Sequence, residues 1–224
     1  MKVAWSETFR IIHSRYPFIS IFDHIASPND LAAVIELEGR TNDRLRDEIG
    51  DIALVRPADR IAGPGTTPIM AAFTHARPSR FTDGSYGVYY AAQHRESAIF
   101  ETVFHLELFY RDTAEESADV DMRVYVARIT GTFDDLLPLV PSDPRLDPSS
   151  YAASRAYARP RYDADDLDGI AFPSVRDPQR RACVACFRPR SITACRTHSY
   201  LTYRWDGTQQ RVTSVFDSDS LAGF

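Results

Sequence analysis

The sequence predicts an α+β fold. Mixed strands and scattered helices follow one another along 224 residues, an order that suits an antiparallel or mixed sheet with helices packed around it. A strand pair near the C-terminus carries Asp206-Gly207 at its centre, a strong hairpin signal. Hydrophobic residues make up 44% of the chain, with 13 Phe and 11 Tyr, enough for one sizeable core.

Residues 1–50 read as an N-terminal helical extension, and 51–224 as the main domain. In "SPNDLAAVIELEGRTNDRLRDEIG", Ser27 serves as N-cap and Pro28 as the first helical residue. Leu31, Val34 and Ile35 form an apolar face. Gly39 and Asn42 divide the stretch, and Gly50 ends it. "DIALVR" then reads as a strand ending at Arg56, followed by a Gly/Pro-rich loop and an irregular or mixed stretch, "MAAFTHARPSRF". "GVYYAA" is a strand that feeds a helix from about Glu96 to Tyr110. "MRVYVARIT" alternates as a strand. "LLPLVPSDPRLDPSS" holds four prolines and is a loop long enough to border a cleft. "YAASRAYARPRY" is a short helix expected to stop before Pro160. "DGIAFPSVR" and "ACVACFRP" are further strands, and "YLTYRWDGTQQRVTSVF" is the hairpin.

The net charge is −5 and Lys2 is the single lysine, which argues against binding nucleic acid through a general basic surface. Arginine is plentiful, and its planar fork suits bidentate phosphate recognition. No stretch approaches the ~18 apolar residues of a spanning helix, and "MKVAWSETFR" has no signal-peptide core. A cytoplasmic protein is therefore expected. Cys183, Cys186, Cys195 and His198 have the spacing C-x2-C-x8-C-x2-H, which fits a zinc site. The preferred reading is a buried strand, where residues three apart point to opposite faces, and no metal is expected. Asp163, Asp165, Asp166 and Asp168 read as a solvated loop.

The usual nucleotide, hydrolase and zinc-protease motifs are missing. A sharper signal is Glu101, a carboxylate on a partly apolar helix that follows directly from the Tyr90 strand. An acid there either reaches water or is held in a cleft by cationic partners.

The stretch "VYYAAQHRESAIFE", with Arg56 and Arg80 before it and "GIAFPSVR" after it, resembles the RES-domain family. The family's Tyr at a strand end, two small residues and Glu eleven residues on match Tyr90, Ala91, Ala92 and Glu101. Its early Arg is assigned to Arg56 in "ALVRP", its second Arg to Arg80, and its Ser to Ser174. The resemblance covers about residues 52–190. The second Arg lies in "PSRF" rather than the "GGRW"-like stretch common in shorter members.

The resemblance implies an ADP-ribosyltransferase-like fold and a toxin of a toxin–antitoxin pair. It implies consumption of NAD+ by cleavage of the nicotinamide–ribose bond, with ADP-ribose passing to water, phosphate or a protein side chain. It also implies a partner, an antitoxin with an Xre-type DNA-binding domain. Glu101, Arg56 and Tyr90 are the expected catalytic residues; Arg56, Arg80, Tyr90 and Ser174 are expected to bind NAD+. The chemistry agrees. Positive charge builds on the ribose as the bond breaks, a carboxylate stabilises it, guanidinium groups hold pyrophosphate, and an aromatic ring walls the flat groups. The rival readings are a ribonuclease-type toxin, disfavoured by charge, and an inactive interaction module.

Overall fold

The computed structural model describes residues 1–15, 22–24 and 50–218. Seven strands form one mixed sheet, with three α-helices among the described residues. The strands are β1 (Lys2–His13), β2 (Tyr89–Ala92), β3 (Ala118–Asp135), β4 (Gly169–Pro173), β5 (Ala182–Cys186), β6 (Ile192–Asp206) and β7 (Arg211–Asp217). The helices are α1 (Thr67–Thr74), α2 (Arg95–Asp112) and α3 (Ala152–Ala164). The order is β1-β2-β5-β4-β3-β6-β7, with a further β1–β3 pairing that closes five strands into a circuit. One contact, β3 with β4, is parallel; the other pairings are antiparallel.

The sheet carries a core on each side, as its alternation requires. Tyr89, Ala91, Val184 and Cys186 face the core covered by α1. Ala92, Cys183, Ala185, Ile170 and Phe172 face the core covered by α2 and α3. Cys183 and Cys186 thus lie on opposite faces of β5, as the strand reading required. The acids at 163–168 are partly committed to arginines: Asp165 pairs with Arg56 and Arg188, and Asp168 with Arg190.

The N-terminal expectation needs correction. Residues 2–13 are not helical. They form β1, which pairs with β3 from Lys2↔Thr132 to His13↔Met122. The helical reading of 27–49 lies outside the described residues. "DIALVR" also fails as a strand. Asp51 accepts from Ala53 N at 2.9 Å, and the chain turns into a 3-10 segment at Ile52–Leu54, because a local side-chain bond competes with extended structure. Part of the stretch read as irregular or mixed is α1, which Pro68 opens from the first turn.

Helix α3 runs through Pro160 to Ala164. Side-chain contacts, local and tertiary, hold the last turn. Arg161 donates to Tyr157 O at 2.9 Å and pairs with Asp134, and the Tyr162 ring stacks on Tyr86 with centroids 3.8 Å apart. The hairpin has a longer loop than the Asp-Gly signal predicts. Asp206 pairs with Arg211 across four residues, and the Asp206 carboxylate accepts from Thr208 N and Gln209 N, both at 2.9 Å.

Candidate active site

A cavity of about 420 Å³ opens where β1, β2 and α2 meet the 78–80 loop and Tyr151. Sequence dictates the junction. Gly87 lets the chain entering β2 lie against α1, since a Cβ there would sit 2.2 Å from Phe73 Cα. Beyond β2 the chain enters α2 at Arg95. One strand end and one helix face thereby share the same space.

Glu101 lines this cavity, and its Oε1 accepts from Ser174 Oγ at 2.6 Å, in the range of a charge-assisted O–H···O⁻ bond. Ser174 is fully buried. Its Oγ also accepts from Arg176 N at 3.2 Å and Asp177 N at 3.0 Å. A hydroxyl has one hydrogen and two acceptor positions, so this one is fully used. Ser174 therefore holds the carboxylate and has no donor left for a ligand, unlike the role its motif position implied.

Tyr90 lines the cavity. Its hydroxyl meets Ser79 Oγ at 2.9 Å and accepts from Phe81 N at 3.0 Å. Burial is the main reason its pKa is pushed up to about 12, so the phenol stays neutral. Arg80 follows Ser79 and also lines the cavity, only 7% exposed. Its Nη1 donates to Asp147 O at 3.0 Å, and its guanidinium lies 4.7 Å from the Tyr151 ring centroid. Burial lowers its pKa, while Tyr151 and Glu101 act upward. The start of α3 fixes this loop. Ser154 Oγ donates to Arg80 O at 2.6 Å, and Arg155 Nε to Ser79 O at 2.8 Å.

Besides Tyr151, Arg10 and His105 line the cavity and escaped the sequence reading as site residues. Arg10, on β1, donates to Tyr90 O at 3.2 Å and stands 4.7 Å from the Tyr89 ring centroid. His105 lies one turn after Glu101 on α2 and lines the same space. The residue as a whole is exposed, yet desolvation by the protein packed around its ring lowers its pKa. Glu101 acts upward, and Arg176 and Arg80 lower it further. The helical spacing from Glu101 to His105 was a usable signal. For Arg10 the signal was a lone cation in "TFRII".

Arg56 is placed elsewhere. It does not line the cavity. It pairs with Asp165 at 3.1 Å, donates to Tyr162 O at 3.0 Å and stands 4.8 Å from the Tyr162 ring centroid. Arg188 approaches the same ring at 4.7 Å and the same carboxylate at 2.9 Å. Arg56 belongs to that cluster. Glu101, Tyr90, Arg80 and, behind the carboxylate, Ser174 are brought together; Arg56 is not.

The sequence pattern that defines the RES domain matches residues 57–206. The chain belongs to the RES domain family. This RES protein is also similar to an uncharacterized protein, y4oC, of Sinorhizobium fredii (strain NBRC 101917 / NGR234). The two are 24% identical over 221 residues, which span 94% of this chain and 88% of the relative. The RES match begins after β1, so Arg10 lies outside the matched residues. Among the described residues, no helix of this RES protein is long and apolar enough to cross a membrane.

Proposed function

We propose that this RES protein cleaves the nicotinamide–ribose bond of NAD+ and passes ADP-ribose to an acceptor, within an ADP-ribosyltransferase-like fold. The observation that carries the reading is a carboxylate held at 2.6 Å by a buried hydroxyl, on the wall of a cavity also lined by two arginines and two tyrosines. Each part suits the substrate. As the C1′–N bond breaks, its electron pair leaves with neutral nicotinamide, and the ribose becomes cationic. Glu101 meets that charge with a fixed negative one, so its effect falls mainly on the transition state. Arg10 and Arg80 match the pyrophosphate, and Tyr90 and Tyr151 supply aromatic walls.

Arg56 has no part in the chemistry on this reading, because it does not line the cavity and is committed to Asp165 and Tyr162. The acceptor is water, phosphate or a protein side chain. As a toxin, the protein would be silenced by an antitoxin with an Xre-type DNA-binding domain that covers the cavity mouth. The test is to incubate purified protein with NAD+ and follow free nicotinamide. Release by the wild type and its loss in a folded Glu101→Gln variant are expected. A folded wild-type protein that neither binds NAD+ nor releases nicotinamide would refute the reading.

A further inference from the structure

The loop between β4 and β5 is organised by one buried carboxylate. Asp177 is 3% exposed. Its Oδ2 accepts from Ser97 Oγ at 2.6 Å and from Arg181 Nε at 2.6 Å, and its Oδ1 accepts from Gln179 N at 2.9 Å. Its own backbone N–H donates to Ser174 Oγ at 3.0 Å. Ser97 is fully buried on α2, one turn before Glu101 and on the same helix face. Two bonds therefore tie the loop to that face: Ser97 to Asp177, and Ser174 to Glu101. With the helix as one side they close a ring.

A buried carboxylate is costly unless it is paired and hydrogen-bonded. Here Arg181 supplies the charge, and Ser97 and Gln179 supply further donors. No apolar side chain could direct three donors in this way. Ser174 depends on the result. Its hydroxyl can rotate, and its hydrogen points at Glu101 because Arg176 N and Asp177 N occupy its acceptor positions. One of those two amides is Asp177's own.

We propose that Asp177 is a positioning residue for Glu101, locking the 174–181 loop against α2 so that Ser174 presents its hydroxyl hydrogen to the carboxylate. Its effect on turnover rests on the NAD+-cleaving reading; the positioning itself does not. Loss of Asp177 leaves Glu101 on its helix but frees its hydrogen-bond donor.

The experiment compares Ser174→Ala, Asp177→Ala, Asp177→Asn and the double variant Ser174→Ala/Asp177→Ala. For Asp177→Ala, kcat for nicotinamide release is expected to fall roughly 10–100-fold, with KM for NAD+ within about twofold, since a lost transition-state contact acts on kcat. Asp177→Asn keeps the shape and part of the acceptor set, and should fall between Asp177→Ala and wild type. If Asp177 acts through Ser174, the double variant is no slower than Ser174→Ala alone. A crystal structure of Asp177→Ala should show Ser174 Oγ out of hydrogen-bond range of Glu101. Multiplicative losses in the double variant would overturn the proposal, as would a matching rise in KM or an Asp177→Ala structure that retains the Ser174–Glu101 bond. Should Asp177→Ala fail to fold, the same kinetic and structural comparisons on the near-isosteric Asp177→Asn decide it. If the wild type releases no nicotinamide, the functional reading fails, and the crystal structures alone decide the positioning.

Discussion

At the scale of single residues, the cavity separates groups that act on charge from groups that hold structure. Glu101 is the clearest case of the first kind. Glu101→Gln keeps size and hydrogen-bonding ability and removes the negative charge. On the proposed mechanism, nicotinamide release should fall by two to three orders of magnitude, corresponding to roughly 2.7–4 kcal/mol of barrier. NAD+ binding, measured by calorimetry, should change far less. Near-normal turnover in the folded variant would remove Glu101 from the mechanism. Arg10 and Arg56 make a second contrast. Arg10→Ala should raise KM roughly 10–100-fold, as expected when a charge-assisted hydrogen bond of about 1.5–3 kcal/mol is lost. Arg56→Ala should leave KM alone and lower stability by about 1 kcal/mol, because its contacts are a half-exposed ion pair, a carbonyl and the Tyr162 ring. Steady-state kinetics and urea unfolding on both variants check this. The reverse pattern would restore Arg56 as the phosphate clamp.

Among elements, the segment from β4 to β5 unites stability and function, and its pH dependence can be worked out. Burial pushes Asp177 up, but Arg181, Ser97 and Gln179 N outweigh it and hold the carboxyl at about 2, below the ordinary 3.8. A carboxyl depressed in the folded state stabilises the fold fully above its unfolded value. That stabilisation is lost as pH falls from about 4 through about 2. The shift is worth about 2 kcal/mol. Urea unfolding at pH 6 and at pH 2.5 should therefore show wild type losing its advantage over Asp177→Asn as acid is added; a constant difference between them would contradict the assignment. Element by element, the strands that form short apolar runs were legible. β2, β4 and β5 sit where their apolar runs place them. The misreadings fall where another interaction outcompeted the local pattern: the Asp51 bond at Ile52–Leu54, and the side-chain contacts that carry α3 past Pro160. For the site, the strand-to-helix step pointed to Tyr90 and Glu101, the family resemblance added Arg80, and all three line one cavity. Arg56 was misplaced because a strand was expected before it, and none forms there.

For the whole molecule, the decisive element is the one the sequence disguised. β1 lacks a clean period of two because its register with β3 shifts between Trp5 and Thr8. Such a bulge moves side chains from one face to the other. Val3 and Trp5 accordingly pack in the core covered by α1, and Phe9 and Ile11 in the core covered by α2. That division hides the strand's alternation, and residues 1–50 read instead as a helical extension keyed on the capped pattern at Ser27 and Pro28. The register places β1 between β3 and β2, with Phe9 opposite Ala92, so it closes the circuit of strands and brings Arg10 to the cavity. Its removal would expose a long edge of β3, bare both cores and take away one cavity wall. A protein comprising residues 51–224 is therefore not expected to fold. It should elute as aggregate, lack a cooperative melting transition and release no nicotinamide. Adding residues 1–13 as a separate peptide should restore little, because the association cost of a short free strand is large. If residues 51–224 instead gave a cooperative transition near that of the full chain, β1 would be a dispensable appendage, and Arg10 would lose the structural argument for its place in the site.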